Sequence, residues 1–154
     1  MRTLIVAFTV AVAFQSVAAF AAGASEKTEV MAVVNQFTNS LNKGDLKTAL
    51  AACAAQSTII DEFPPYHWQG NACTDWANDF GAFNTKSGIT EAIATLGKPR
   101  HVDITGDRAY VVAPATYTYK EHGKRVTESN STLTVALQKG GDGWRINGWA
   151  WSKH

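Results

Sequence analysis

The stretch RAYVVAPATYTYK-EHGK-RVTESNSTLTVALQ, residues 108–138, decides the fold of this chain. Its first half is rich in Ala, Val, Thr and Tyr, which predicts a long strand over Arg108–Lys120. The polar segment 121–124 turns the chain, and Arg125–Gln138 returns with Leu133, Val135 and Leu137 alternating against polar residues. Shorter strands are predicted on both sides, over Arg100–Ile104 and Trp144–Trp151. The second half of the protein is therefore an antiparallel meander.

Helices dominate the chain before this meander. Apolar residues recur at three- and four-residue spacing in 26–42, which predicts an amphipathic helix. Gly44 suits the left-handed position after that helix, and Asp45 is placed to cap a second helix over 46–55. A strand over Ser57–Phe63 ends at two prolines, 66–71 reads as a loop, and a third helix covers Thr74–Phe83. The segment 89–96 is compatible with either a helix or a strand. The order predicts an α+β domain in which a curved antiparallel sheet wraps around N-terminal helices and encloses a pocket at its open end.

The N-terminus has the layout of a secretory signal peptide. One positive charge on Arg2 precedes an apolar run over 4–14, and small residues follow up to Ala24. Cleavage after Ala24 or Ala21 would leave small residues at the required positions. The apolar run is shorter than the roughly 20 residues that cross a bilayer, although an uncleaved anchor is the alternative. We therefore predict a signal peptide over 1–24, one domain over 25–154, and a periplasmic or secreted protein.

Charge and composition exclude some partners. Without Arg2 the chain carries 13 basic and 13 acidic residues, and no basic run stands out. Nucleic acid binding requires concentrated positive charge, so we expect no nucleic-acid partner. We also expect no membrane association after cleavage. The four histidines are scattered without ligand spacing, so neither a metal nor another cofactor is expected.

Cys53 and Cys73 are the only two cysteines. In an oxidising compartment such a pair favours a disulfide, which we predict to join the end of the second helix to the start of the third. Two buried free thiols are the alternative.

Three stretches give the chain a family resemblance. They are the first helix with its Gly-Asp connection (VVNQF … KGDL, 33–46), the strand STIID (57–61) and the closing strand GWRINGW (143–149). In these stretches and in its order of elements, the chain resembles the NTF2-like superfamily, in particular the SnoaL-like branch. The resemblance implies a cone-shaped domain, and the superfamily includes ketosteroid isomerases, polyketide cyclases, dehydratases and proteins that only bind ligands.

The resemblance also implies a site. In ketosteroid isomerases the carboxylate that moves the proton stands at the end of this first strand, which places Asp61 as a general base. Their helix tyrosine corresponds to Phe37, and their neutral acid falls near Leu133, so neither oxyanion donor is present. The paired histidines and tyrosines of scytalone dehydratase are not evident either.

The residues themselves suggest further site candidates. Strand alternation places Asp61 and Glu62 on opposite faces, and the resemblance selects Asp61 as the one expected to point into the pocket, with Glu62 pointing away. His101 and Asp103 share a strand face, so His101 is a second catalytic candidate, an exposed polar face being the alternative. Aromatic residues are candidates for the pocket lining or its mouth, with ordinary core packing as the alternative: Tyr66, Trp68, Trp76, Phe80, Tyr117 and Trp149, joined by Tyr119 and Trp151.

Three functions follow as hypotheses. The first is binding of a small apolar or aromatic molecule, which the missing oxyanion donors favour. The second is an isomerase, cyclase or dehydratase that uses Asp61. The third is a non-catalytic homodimer or partner-binding module, since many members of the superfamily pair through the outer face of the sheet. The sequence leaves open the ligand, the reaction and the oligomeric state.

Overall fold

The computed structural model describes residues 15–154, with side chains from residue 23 onward. The charged start and apolar run of the predicted signal peptide lie outside the described residues. The described elements, in chain order, are α1 (Gln15–Asn42), α2 (Leu46–Leu50), β1 (Cys53–Ile60), β2 (His67–Gly70), α3 (Ala72–Lys86), β3 (Ile89–Leu96), β4 (His101–Thr105), β5 (Arg108–Glu121), β6 (Lys124–Gly140) and β7 (Gly143–Ser152). Among these residues, no helix is long and apolar enough to cross a membrane.

The strands form a single curved sheet, and the α+β prediction is confirmed. The strand order is β2-β1-β7-β6-β5-β3. Both β3 and β4 pair with the same edge of β5: β3 with its C-terminal half and β4 with its N-terminal half. The meander over β5, β6 and β7 is antiparallel as predicted, whereas β1 runs parallel to β7, so the sheet is mixed. The segment 89–96 is strand β3, and 67–70, predicted as a loop, is a strand that pairs with β1.

The connection between α1 and α2 forms as the sequence predicts. Gly44 adopts a φ of +71°, which ends α1 in the left-handed region that glycine enters without strain. Asp45 then accepts a hydrogen bond from the Thr48 backbone N–H at 3.1 Å. The second helix is shorter than predicted, because residues from Cys53 onward join the sheet through pairing with β7.

The helices pack against one face of the sheet and bury the core there. Val30, Val34 and Phe37 of α1 are buried, as are Val135 and Leu137 of β6. The side-chain amide of Asn42 fixes the end of α1 to β3, since it exchanges two hydrogen bonds of 2.7 and 2.9 Å with the Ala94 backbone.

The predicted disulfide between Cys53 and Cys73 is present. It joins the first residue of β1 to the first turn of α3, with the Cα atoms 6.5 Å apart. This distance lies within the usual range for disulfides of about 4.4–6.8 Å. Cys53 therefore begins a strand, and the prediction that it lies at the end of the second helix is wrong.

Candidate functional site

A cavity of about 310 Å³ lies between the helices and the concave face of the sheet. Most of its wall is aromatic or aliphatic. The helices contribute Phe37, Leu41, Trp76, Phe80 and Phe83, and the strands contribute Leu96, Tyr117, Tyr119, Leu133, Trp149 and Trp151. A concave, apolar site with a few polar groups is typical of small-molecule binding in proteins.

Four large rings form the inner wall of the cavity. Trp76 and Phe80 are one helical turn apart on α3 and stack at 4.9 Å between ring centroids. The edge of Trp149 meets Trp76 at 4.9 Å, and Phe37 contacts both tryptophans at 6.2 Å. Because these rings support one another, the wall is rigid and offers flat apolar surfaces to a ligand.

Asp61 lies in this wall, where it is 9% exposed. Its Oδ2 accepts a hydrogen bond of 2.7 Å from the Trp76 indole N–H, and its Oδ1 accepts one of 2.8 Å from the Glu62 backbone N–H. Burial raises the pKa of Asp61, while these two hydrogen bonds act in the opposite direction. The result is a buried carboxyl group held in one orientation beside an apolar space.

Glu62 also lines the cavity, contrary to the expectation that it points away. Strand alternation does not apply here, because β1 ends at Ile60 and the two acidic residues lie in the bend that follows. Burial and, second, the negative charge of Glu128 raise the pKa of Glu62 to about 7. The cavity therefore holds a carboxyl group that titrates near neutral pH.

Glu128 of β6 completes a polar cluster at the cavity, which we call the acidic cluster: Glu62, Glu128, Tyr119 and Lys153. The Glu128 side chain is 9% exposed, and its Oε1 accepts hydrogen bonds from the Tyr119 hydroxyl at 3.0 Å and the Lys153 ammonium at 2.7 Å. The same ammonium lies 3.8 Å from Glu62 Oε1. Sequence reasoning missed Glu128 and Lys153 altogether.

A bulge in β6 explains why Glu128 was missed. Leu133, Val135 and Leu137 point inward, and continuing their alternation would turn position 128 outward. Between the pairs Ala115–Ser131 and Tyr117–Glu128, however, β6 contains one residue more than β5. That extra residue reverses the alternation and turns Glu128 toward the cavity.

Several polar atoms in the cavity wall have no hydrogen-bond partner within the described part of the chain. They are the Tyr117 hydroxyl, Asn84 Oδ1, Glu128 Oε2 and Trp149 Nε1. These atoms are buried within the wall, and buried polar groups are normally paired. Phe37 and Leu133 line the same cavity, and neither side chain has a hydrogen-bond donor.

The structure brings together four of the six predicted ligand-binding residues, since Trp76, Phe80, Tyr117 and Trp149 all line the cavity. Two lie elsewhere. Tyr66 is 57% exposed, and the buried Trp68 packs on Phe63 and donates a 2.8 Å hydrogen bond to Asp79. Neither contributes to the cavity wall, because β2 lies on the outer edge of the sheet.

His101 is not brought to Asp61. Its side chain is 62% exposed on β4, and its Nδ1 lies 3.9 Å from Asp103 Oδ2. The alternate residues Val102 and Ile104 are the ones that pack toward the core, so strand alternation turns His101 outward. Over the described residues, no group of three or more His, Cys, Asp or Glu side chains is arranged to hold a metal ion.

Family comparison agrees with this architecture. The family model of the SnoaL-like domain matches residues 30–152. The chain belongs to this family. No curated protein matches it in sequence.

Solved structures of low sequence identity share the fold of this SnoaL-like domain. An NTF2-like protein with a cystatin-like fold from Novosphingobium aromaticivorans superposes with a TM-score of 0.72 at 14% identity, over 91% of this chain and 89% of that one. An NTF2-like superfamily protein from Salmonella enterica gives 0.72 at 18% identity, covering 85% and 92%. A ketosteroid isomerase-like protein from Erwinia carotovora gives 0.66 at 15% identity, covering 83% and 95%. At these identities the likeness concerns the fold.

Proposed function

We propose that this SnoaL-like domain binds a small apolar or aromatic molecule in the cavity, outside the cytoplasm. The observation that carries the proposal is the cavity itself, which joins a rigid aromatic wall to polar atoms without partners. A signal peptide over 1–24 and the disulfide fit an oxidising, periplasmic or secreted setting.

The neutral fluorescent probe N-phenyl-1-naphthylamine tests this function. We expect its emission to rise on binding to the native protein. Ala92 lines the cavity, so Ala92→Phe fills part of it and should weaken binding by about tenfold or more. Ala82→Phe adds the same ring at an exposed position of α3 and is the matched control. Equal binding by all three proteins, or by none, would contradict the proposal.

Catalysis by Asp61 is the second candidate function. It is favoured by the burial of this carboxyl group, its raised pKa and its fixed orientation beside the cavity. A base in this position would remove a proton from carbon next to a carbonyl group, as in isomerisation or dehydration. The ketosteroid isomerase-like relative supports the same reaction class.

Asp61→Asn separates the two functions. An amide keeps the shape and cannot accept the proton, so an enzyme would lose turnover, whereas binding of a neutral apolar probe would change only modestly. Exchange of α-protons of cyclic ketones in D₂O, followed by NMR, measures the reaction. Asp103→Asn removes a carboxylate outside the cavity and is the control. Exchange that survives in Asp61→Asn would exclude this base.

We also propose that the protein forms a homodimer through the outer face of its sheet. Tyr110 of β5 is 47% exposed and offers a ring to such a contact. Sedimentation equilibrium of the native protein and of Tyr110→Lys measures the association, and a monomer at all concentrations would contradict it.

A further inference from the structure

We propose that the ligand of this cavity carries a protonated amine, which binds at the acidic cluster while its apolar body lies against the aromatic wall. This inference rests on the proposed binding function and deepens it, because it assigns a chemical class to the ligand.

The first observation is the incomplete pairing of Glu128. Its Oε1 is fully engaged by Tyr119 and Lys153, whereas its Oε2 has no hydrogen-bond partner within the described residues, although the side chain is 9% exposed. A buried carboxylate oxygen without a donor is costly. Only a donor satisfies it. Protonated Glu62, which can hydrogen-bond to Glu128, is one such donor, and a ligand N–H that takes its place is the other.

Lys153 shows that an ammonium group fits at this place. Its nitrogen lies 2.7 Å from Glu128 and 3.8 Å from Glu62, so both carboxyl groups can face one cation. The lysine side chain is itself 54% exposed, and it reaches the cluster from the end of the chain after β7. A more deeply seated ligand ammonium can therefore take over the bond to Glu128, and the lysine side chain then extends into solvent.

Aromatic rings surround the same cluster. Tyr117 lies 5.0 Å from Tyr119 and 6.3 Å from Trp151, with the latter ring edge-on, and all three line the cavity. Electron-rich ring faces next to carboxylates form the kind of site that attracts substituted ammonium ions. Tyr117 also contacts Phe80 at 6.4 Å, which connects the cluster to the inner aromatic wall. An apolar amine spans both regions.

The charge balance favours a cation over an anion. The cavity wall includes several carboxyl groups and one ammonium: Asp61, Glu62, Glu121 and Glu128 against Lys153. Desolvation and, after the neighbouring Tyr119, the negative charges of Glu128, Asp61 and Glu62 raise the pKa of the Tyr117 hydroxyl. A ligand carboxylate would meet the same repulsion.

Amine binding is therefore coupled to the protonation of Glu62. The groups that face Glu62 are Glu128 from β6, Lys153 after β7, the adjacent Asp61, and Tyr117 of β5. Tyr119 reaches the cluster through its hydrogen bond to Glu128. A bound ammonium stabilises ionised Glu62, so binding releases a proton and affinity rises as the pH increases through about 7.

Three matched indoles test the ligand class by isothermal titration calorimetry. Tryptamine carries the ammonium, 3-ethylindole is its neutral analogue, and indole-3-acetate carries the opposite charge. We expect tryptamine to bind about tenfold or more tightly than 3-ethylindole, and more tightly at pH 8 than at pH 6. If N-phenyl-1-naphthylamine binds but tryptamine gains nothing over 3-ethylindole, the amine proposal is overturned and the binding function stands. If no probe binds, both fail.

Two variants locate the amine. Glu128→Gln should weaken tryptamine by about tenfold and leave 3-ethylindole unchanged. Lys153→Met removes an exposed competitor without touching the core, so tryptamine affinity should rise; a fall would mean that Lys153 anchors an anionic ligand and would overturn the proposal. Asp103→Asn, which removes a charge outside the cavity, should change neither affinity.

Discussion

Each acidic residue at the cavity derives its properties from its surroundings. Asp61 and Glu62 are neighbours in sequence, yet Asp61 is held by two hydrogen bonds, whereas Glu62 faces a second carboxyl group. The indole of Trp76 serves as both wall and hydrogen-bond donor, so the apolar and polar parts of the site are not independent.

Glu62 makes the stability of the protein depend on pH. Because its pKa rises from an ordinary value of 4.5 to about 7 on folding, ionisation is harder in the folded state, and stability falls as the pH rises between these values. We expect Glu62→Gln to flatten the change in the free energy of unfolding between pH 5 and pH 8. Urea unfolding across this range measures it, and Glu29→Gln, on the exposed face of α1, should retain the native profile. An unchanged profile in Glu62→Gln would contradict the assignment.

At the scale of the elements, the sequence predicted what local chemistry controls. Gly44 and Asp45 set the first helix connection, and the alternation of Leu133 and Val135 identified the inner face of β6. The sequence could not predict where the alternation of a strand breaks, because such breaks depend on pairing with distant strands. The end of β1 at Ile60 places Glu62 in the cavity, and the bulge in β6 turns Glu128 toward it.

The bulge in β6 is a specific target for mutation. Asn130 adopts a φ of +65°, a conformation that asparagine tolerates and β-branched residues do not. We expect Asn130→Val to destabilise the domain by about 1–3 kcal/mol and to weaken ligand binding through displacement of Glu128. Asn130→Gly should preserve both, and Thr127→Val, at an exposed position of the same strand, is the control. Chemical denaturation gives the stability, and a tolerated valine would contradict the role of the bulge.

The disulfide joins β1 to α3, whose Trp76 and Phe80 line the cavity. Its sequence separation is 20 residues, and a loop of this size predicts a stabilisation of about 3 kcal/mol. We expect reduction, or replacement of both cysteines by serine, to lower the free energy of unfolding by this amount. Urea unfolding with and without reductant measures it, and the native protein should show no titratable thiol. Two reactive thiols in the native protein would exclude the bridge.

For the whole molecule, the fold places an apolar, rigid wall inside the cone and an acidic cluster nearer its opening. The helices close one side, the antiparallel meander supplies the other, and Lys153, which follows β7, lies beside the cluster. A family whose members share this shape at low identity can differ in activity through the few side chains that line the cavity.

The described core begins after the predicted cleavage site. Among the residues whose side chains the structure describes, Val30 is the first that is buried in the core, and Glu26 is the first with a long-range side-chain pair, to Lys139 at 2.8 Å. The family match begins at residue 30 as well.

We therefore expect the exported protein to begin at Ala22 or Ser25, and residues 25–154 alone to unfold at the same temperature as the full chain. Intact mass spectrometry of the extracytoplasmic fraction identifies the N-terminus, and Met1 retained on a membrane-bound product would contradict the prediction. Loss of stability in residues 25–154 would instead mean that the beginning of α1 belongs to the folded domain.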